Sequence, residues 1–470
     1  MKAGYNLSSD KLLKKGKGWN PFLLVILSFA IVIVVGTFLL FMPFSQKSGT
    51  NMTLSNFVDC LFTAVSATCV TGLCTFSNGI GDQLTFFGQL IVLILIQIGG
   101  LGFITVLSFI MTIFNKKISF KNRNFLFQAV GSTSFGNVVA FVRKIIFVVF
   151  IIETIGTACL LPVFFQVPGT TTLEAIWRSI FHCVSSFNNA GFDILGNTSL
   201  LRNGEILNTL PDWTYNYLLS VTMILIVLGG ISFIVIFEAF SKKKPKQWKA
   251  FTKVVLLMTS ILLIGGFIIF VCTECFKGEN SMSPMDALFQ SVTCRTAGFL
   301  TYNQSDLTIG GRILSCFLMF VGGAPLGTAG GVKVTTIFMV AVALNSYVTG
   351  REVHSFKRTY SNNTIIKALV LLAMAFVLIV ICYAAVASIE TKNENITSSM
   401  LLFECVSAFG TVGLSQNCTP LLHSWSKIVI MLLMFLGRLG PMTLFQVIQN
   451  NLNNKSSKSF SYVEEDFLIG

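Results

Sequence analysis

Four short segments carry the residues best suited to chemistry: 62–72, 181–191, 289–298 and 403–413. Each begins Phe-x-x-Val-Ser/Thr and ends at a glycine followed by Leu or Phe. Those glycines, Gly72, Gly191, Gly298 and Gly413, lie 119, 107 and 115 residues apart. A dehydrated potassium ion needs oxygens in place of its water, and backbone carbonyls aimed at one axis supply them. Such a loop needs unusual dihedrals, which glycine adopts without Cβ strain. One glycine of this kind could be a simple helix C-cap. Four matched ones fit a ring of carbonyls made by a single chain. The candidate ring residues are Val70, Thr71 and Gly72, then Asn189, Ala190 and Gly191, then Thr296, Ala297 and Gly298, then Thr411, Val412 and Gly413.

Three cations fall inside apolar stretches: Arg295, Lys333 and Arg438. Ionisable groups at membrane depth are costly and are functional candidates by default. A guanidinium on the ion path would repel cations, so Arg295 is expected behind its loop as a brace, with Glu404 as candidate partner. Lys333 follows Gly322-Gly-Ala-Pro-Leu-Gly-Thr-Ala-Gly-Gly331, a stretch too rich in glycine and proline to hold a helix. It either faces an inner cavity or pins that segment to its own carbonyls. Arg438 is expected mid-helix, about ten residues from either end and so roughly 15 Å from an interface. His182 is read as a packing or hydrogen-bonding residue.

The elements that position these residues follow from composition. The chain has 470 residues, 53% hydrophobic and 11% charged. A soluble domain usually carries roughly 25% charged residues, so most of this surface faces lipid. Long apolar stretches precede the four segments at 20–43, 143–166, 251–275 and 363–389, and follow them at 83–114, 213–240, 308–349 and 422–448. Each is long enough to cross a bilayer, while the segments between them, at about 10–14 residues, are too short and read as re-entrant half-helices. The fold class is therefore an all-α polytopic membrane protein: four helix–pore loop–helix repeats, about eight spans, around one pseudo-fourfold pore. The repeats run 20–114, 138–240, 249–350 and 362–450, between termini at 1–19 and 451–470.

Charge sets the orientation. Of 33 Lys and Arg, 23 fall in 1–19, 115–144, 241–253, 350–367 and 449–470, and seven on the opposite side. By the positive-inside rule both termini are cytoplasmic and the glycine loops enter from outside. The formal charge of +13 thus reflects topology and not a nucleic-acid partner. Twelve scattered cysteines, including Cys272 and Cys275, read as apolar filler. No nucleophile–histidine pair, phosphate-binding loop or metal-ligand spacing is present, so no enzyme is expected.

The four-repeat pattern resembles the Trk and Ktr potassium uptake proteins and the related HKT-type plant and fungal transporters, over about residues 20–470. Cys69-Val-Thr-Gly72-Leu, Thr293-Cys-Arg-Thr-Ala-Gly298-Phe, Gly322 to Lys333 and Gly437-Arg-Leu-Gly-Pro441 look most like the Ktr membrane subunit. So do the short N-terminal stretch and the acidic tail Glu464-Glu-Asp-Phe-Leu-Ile-Gly470. In the plant branch a serine at the first loop glycine goes with sodium transport, so Gly72 implies potassium. The resemblance further implies that 322–333 is an intramembrane gate, comprising Gly322, Gly323, Gly327, Thr328, Gly330, Gly331 and Lys333, and that Arg438 faces it. Pro325-Leu326 departs from the smaller residues usual there. It implies a homodimer in a bacterial cell membrane, and a separate cytosolic ring (KtrA-like) that alone binds nucleotide. That ring would dock on 115–144, 241–253 with Lys242, Lys243 and Lys244, 350–367 and the tail; the alternative is that these basic residues serve topology only. No covalent cofactor is implied; potassium occupies the filter and sodium stimulation is compatible with it. A secondary active symporter of the same ion is the alternative.

Overall fold

The computed structural model describes residues 21–47, 53–76, 79–102, 138–196, 200–202, 207–241, 244–278 and 280–440. The expected termini, residues 103–137, Lys242, Lys243, Pro441 and the tail lie outside these.

The first repeat comprises α1 (Pro21–Phe41), α2 (Leu54–Cys69), the one-turn α3 (Gly79–Gln83) and α4 (Phe86–Leu101). The second comprises α5 (Val138–Phe164), α6 (Thr172–Asn188), α7 (Asp212–Gly230) and α8 (Phe233–Ala239). The third comprises α9 (Ala250–Glu274), α10 (Pro284–Thr293), α11 (Ile309–Phe320) and α12 (Val334–Thr349). A small hairpin of β1 (His354–Ser355) and β2 (Arg358–Thr359) leads to the fourth: α13 (Asn362–Ile389), α14 (Ser398–Gly410) and α15 (Ser424–Leu439). Among the described residues, four helices are long and apolar enough to cross a membrane.

Local chemistry starts these helices. Thr171 and Glu174 form a reciprocal capping box at α6, and Ser283 caps α10 with Pro284 in the first turn. The pore helices α2, α6, α10 and α14 are 16, 17, 10 and 13 residues long. Two thus exceed the expected length, because Thr53 and Thr171 cap them earlier than the apolar pattern suggests. The repeated phenylalanine anchors every one: Phe62, Phe181, Phe289 and Phe403 are buried. Burying such a ring is worth roughly 1.5–3 kcal/mol.

The sequence points to a break in the second helix of the third repeat alone, yet that of the second repeat breaks too, and those of the first and fourth end at glycines inside their apolar stretches. The first ends at Leu101 with Gly102 at φ 78°, the second at Gly230 before restarting at Phe233, and the fourth at Leu439 with Gly440 at φ 78°. Arg438 therefore sits in the last turn of α15 and not mid-helix. Glycines at positive φ, which other residues rarely adopt, end the first and fourth of these helices where a uniform apolar run reads as continuous.

The repeats pack in cyclic order. Trp177 donates to Gln89 at 2.8 Å between the first and second, and the His182 and Phe299 rings lie 4.9 Å apart between the second and third. Gln416 reaches the Gln304 carbonyl at 3.5 Å between the third and fourth. Lys427 of α15 pairs with Asp59 of α2 at 2.7 Å, which closes the fourth repeat on the first. Both partners are largely shielded from water, so Lys427→Met leaves a carboxylate uncompensated. That substitution is expected to cost about 1–3 kcal/mol, visible as a lower melting temperature in detergent. An unchanged melting curve would remove the pair from the account of stability.

Candidate functional site

Each pore helix runs into the same backbone turn. Val70, Asn189, Thr296 and Thr411 adopt left-handed φ values of 58°, 58°, 71° and 50°. Each stands two residues before its loop glycine, and three of the four are β-branched residues, which rarely adopt this region. The following residue turns its N–H back onto the motif Ser/Thr carbonyl. Thr71 donates to Ser66 at 2.8 Å, Ala190 to Ser185 at 2.8 Å, Ala297 to Thr293 at 2.9 Å and Val412 to Ser407 at 2.9 Å. Ser66 and Ser407 also accept, through their hydroxyls, the N–H of Gly72 and Gly413, each at 3.1 Å. The serine or threonine of the motif is thus the bracket of the loop.

The glycines follow at φ 98°, 68°, 80° and 96° and meet in a closed order. A Cβ on Gly72 would strike the Ala190 carbonyl oxygen, and one on Gly191 that of Ala297. One on Gly298 would strike that of Val412, and one on Gly413 that of Thr71. Every loop therefore lays a carbonyl against the bare Cα of its neighbour, and the fourth returns to the first. Rings of neutral carbonyl oxygens suit an alkali cation, while transition metals prefer thiolate or imidazole. Among the described residues no group of three or more His, Cys, Asp or Glu could hold a metal ion.

The second helices end or break next to this ring, and three of these places share a packing reason. Gly99, Gly229 and Gly437 bring their Cα atoms against the pore-helix carbonyls of Thr68, Phe187 and Phe409, where a side chain has no room. In the sequence the same place reads Gly99-Gly100, Gly229-Gly230, Gly322-Gly323 and Gly437-Arg438. Arg438 thus occupies the position of a second glycine. The fourfold pair is legible in the sequence, but only in the third repeat does a longer glycine-rich stretch single it out.

There the break extends from Val321 to Lys333 and folds back on itself. The N–H of Gly322 donates to Val332 at 2.9 Å and that of Val334 to Gly323 at 3.1 Å. The intervening turn docks on the broken end of α7: Ala324 and Thr328 donate to the Gly230 and Gly229 carbonyls, each at 3.0 Å, and Phe233 donates to Leu326 at 3.2 Å. Carbonyls orphaned where α7 stops are thereby satisfied. Thr328 also reaches the Phe187 carbonyl at 3.3 Å through its hydroxyl. On the other side Gly330 and Gly331 lie against Thr411 and Gly410 of the fourth repeat.

The three intramembrane cations all bind backbone. Arg438 donates to the Thr328 carbonyl and to those of Gly99 and Gly100 at the end of α4. It joins the segment to the first repeat. Lys333 donates to Ala329 at 2.6 Å and Gly330 at 3.3 Å, so it pins the segment to its own carbonyls. Arg295, 6% exposed, donates to the Gly322 carbonyl at 2.9 Å. The expected pairing of Arg295 with Glu404 is absent: Glu404 accepts from the Thr419 hydroxyl in the chain leaving the fourth loop. The third pore helix stops at Thr293, which releases Arg295 toward the break, while Glu404 is held within α14. His182 packs on Phe299 and bonds Thr222 at 2.9 Å.

Comparison with known proteins places this geometry in company. Residues 17–459 match the family described as TrkH, cation transport protein. The potassium/sodium uptake protein NtpJ of Enterococcus hirae is 36% identical over 97% of this chain and 98% of its own. Ktr system potassium uptake protein B of Bacillus subtilis is 34% identical over 93% and 94%. Among solved structures, the potassium transporter TrkH of Vibrio parahaemolyticus superposes with a TM-score of 0.68 at 18% identity, over 94% of this chain and 86% of that one.

Proposed function

Because the chain belongs to the TrkH family of cation transport proteins, we propose that it carries potassium into the cell through the ring at Gly72, Gly191, Gly298 and Gly413. The observation that carries this reading is the closed carbonyl order of the four loops. Four neutral carbonyl oxygens gathered in one ring can replace an ion's water without the desolvation penalty of a charged ligand. Segment 322–333 is the gate: it is held to all of the other three repeats, directly or through Arg438. The protein sits in the bacterial plasma membrane with both termini cytoplasmic, by its charge distribution. It works as a homodimer on a cytosolic ring that binds nucleotide; the naming of one relative as part of a Ktr system supports partnership with other components. It needs no catalytic group and no resident cofactor.

Liposomes containing only this subunit and a rubidium gradient test the reading. Flux down the gradient, saturable and competed by potassium, is expected. No flux from either the parent or a variant lacking residues 323–329 would overturn it. A second reading, sodium-coupled symport, is favoured by the helix breaks in the second and third repeats, which resemble the discontinuous helices of coupled carriers. An imposed sodium gradient would then concentrate rubidium above equilibrium, which a pore cannot do.

A further inference from the structure

The long first helix of the second repeat carries a carboxylate that the site above does not use. Glu153 lies near the middle of the 27-residue α5. Among the described residues, none of the ion pairs involves it. Its partners are two carboxamides. Gln97 Nε2 donates to Oε2 at 3.2 Å, and Asn188 Nδ2 to Oε1 at 3.3 Å. Asn188 Nδ2 also donates to Gln97 Oε1 at 2.8 Å. The three side chains therefore form one triangle joining α4, α5 and α6.

Both amides sit at consequential places. Gln97 precedes Gly99 by two residues on α4, and Asn188 is the last residue of α6, next to Asn189. The Asn188 carboxamide oxygen is buried, has no hydrogen-bond partner, and lies against Gly100 where a Cβ would stand. The carbonyls of Gly99 and Gly100 are those that receive Arg438. A carboxylate accepts only, so it fixes the Gln97 amide with its N–H groups toward itself and, with the Val184 carbonyl that accepts from Asn188 Nδ2 at 2.9 Å, does the same for Asn188. That choice sets the Asn188 oxygen against Gly100 and fixes the end of α4.

We infer that Glu153 is a positioning residue for the Arg438 latch: through Gln97 and Asn188 it holds the end of α4 where its last carbonyls meet the guanidinium. The inference rests on the gate reading above. A glutamine at 153 presents an N–H to one of two donors, so one amide must turn and the α4 end loses its support. In liposomes holding the full chain alone, Glu153→Gln should raise rubidium efflux roughly tenfold, the effect of losing one charge-assisted hydrogen bond. The exchanged pair Glu153→Gln with Gln97→Glu restores one carboxylate and one amide, and should return efflux to within about twofold of the parent. In a chain lacking residues 323–329, Glu153→Gln should add nothing. Gln97→Leu removes one donor while keeping the acid; it should also raise efflux, and serves if Glu153→Gln does not fold. Parental efflux from both single variants, beside a fast deletion variant, overturns the role of Glu153 and leaves the gate standing. An equal rise on the deletion background overturns it as well. A deletion variant no faster than the parent removes the gate, and this inference with it.

Discussion

Deleting residues 323–329 is expected to accelerate rubidium flux through liposomes that contain this subunit and no regulatory partner, and Arg438→Ala is expected to do the same. The deletion is tolerable because its ends already touch: Gly322 lies against the Gly330 carbonyl and bonds Val332 at 2.9 Å. What disappears is the turn that occupies the space between α7 and α15. Its loss removes the Ala324 and Thr328 bonds to the end of α7, and the Thr328 carbonyl that Arg438 holds. Arg438→Ala leaves the turn in place and cuts its tie to the first repeat. Hydrogen bonds to a charged group are worth about 1.5–3 kcal/mol each. Losing even one shifts a closed–open balance by roughly tenfold or more. Two variants that elute as the parent does but conduct no faster would reduce the break to a packing kink.

The second large effect concerns discrimination between ions. Gly72→Ser should weaken preference for potassium over sodium by roughly tenfold, since one carbonyl of the ring must move. At φ 98° any side chain is strained, and its Cβ would stand 2.5 Å from the Ala190 oxygen. Neither the serine nor the carbonyl can stay where it is. Gly413→Ala should act likewise through Thr71, on the other flank of the same loop. Sodium competition against rubidium uptake is the measurement. An unaltered ratio in both variants would take the glycine ring out of the selectivity account.

Much of this architecture was legible. Phe62, Val65 and Ser66, with their three counterparts, announced four equivalent units. The structure gives two of these motif positions a physical role, since the aromatic anchors the pore helix and the hydroxyl residue brackets the loop. The left-handed turn before each glycine was not legible. Val70, Thr296 and Thr411 are residue types that argue against such dihedrals, and only the surrounding hydrogen bonds impose them. The ends of α4, α7 and α15 were hidden for another reason. Glycine pairs occur in membrane helices as ordinary packing contacts, and a contact with a pore-helix carbonyl leaves no mark on local sequence. The destination of Arg295 depended on the early end of α10, a matter of three-dimensional context.

The seam between Asp59 and Lys427 bears on how the molecule is made. These residues are 368 positions apart. Synthesis proceeds from the amino terminus, so Asp59 enters the bilayer long before its cation exists. Until α15 inserts, the assembly is an open arc with a bare acid at one end. The helix α15 is thus the keystone, and a chain truncated before it would present an unpaired charge that membrane quality control can recognise. Contacts this remote in sequence also form slowly. Completion of the circle is therefore the late step of biogenesis.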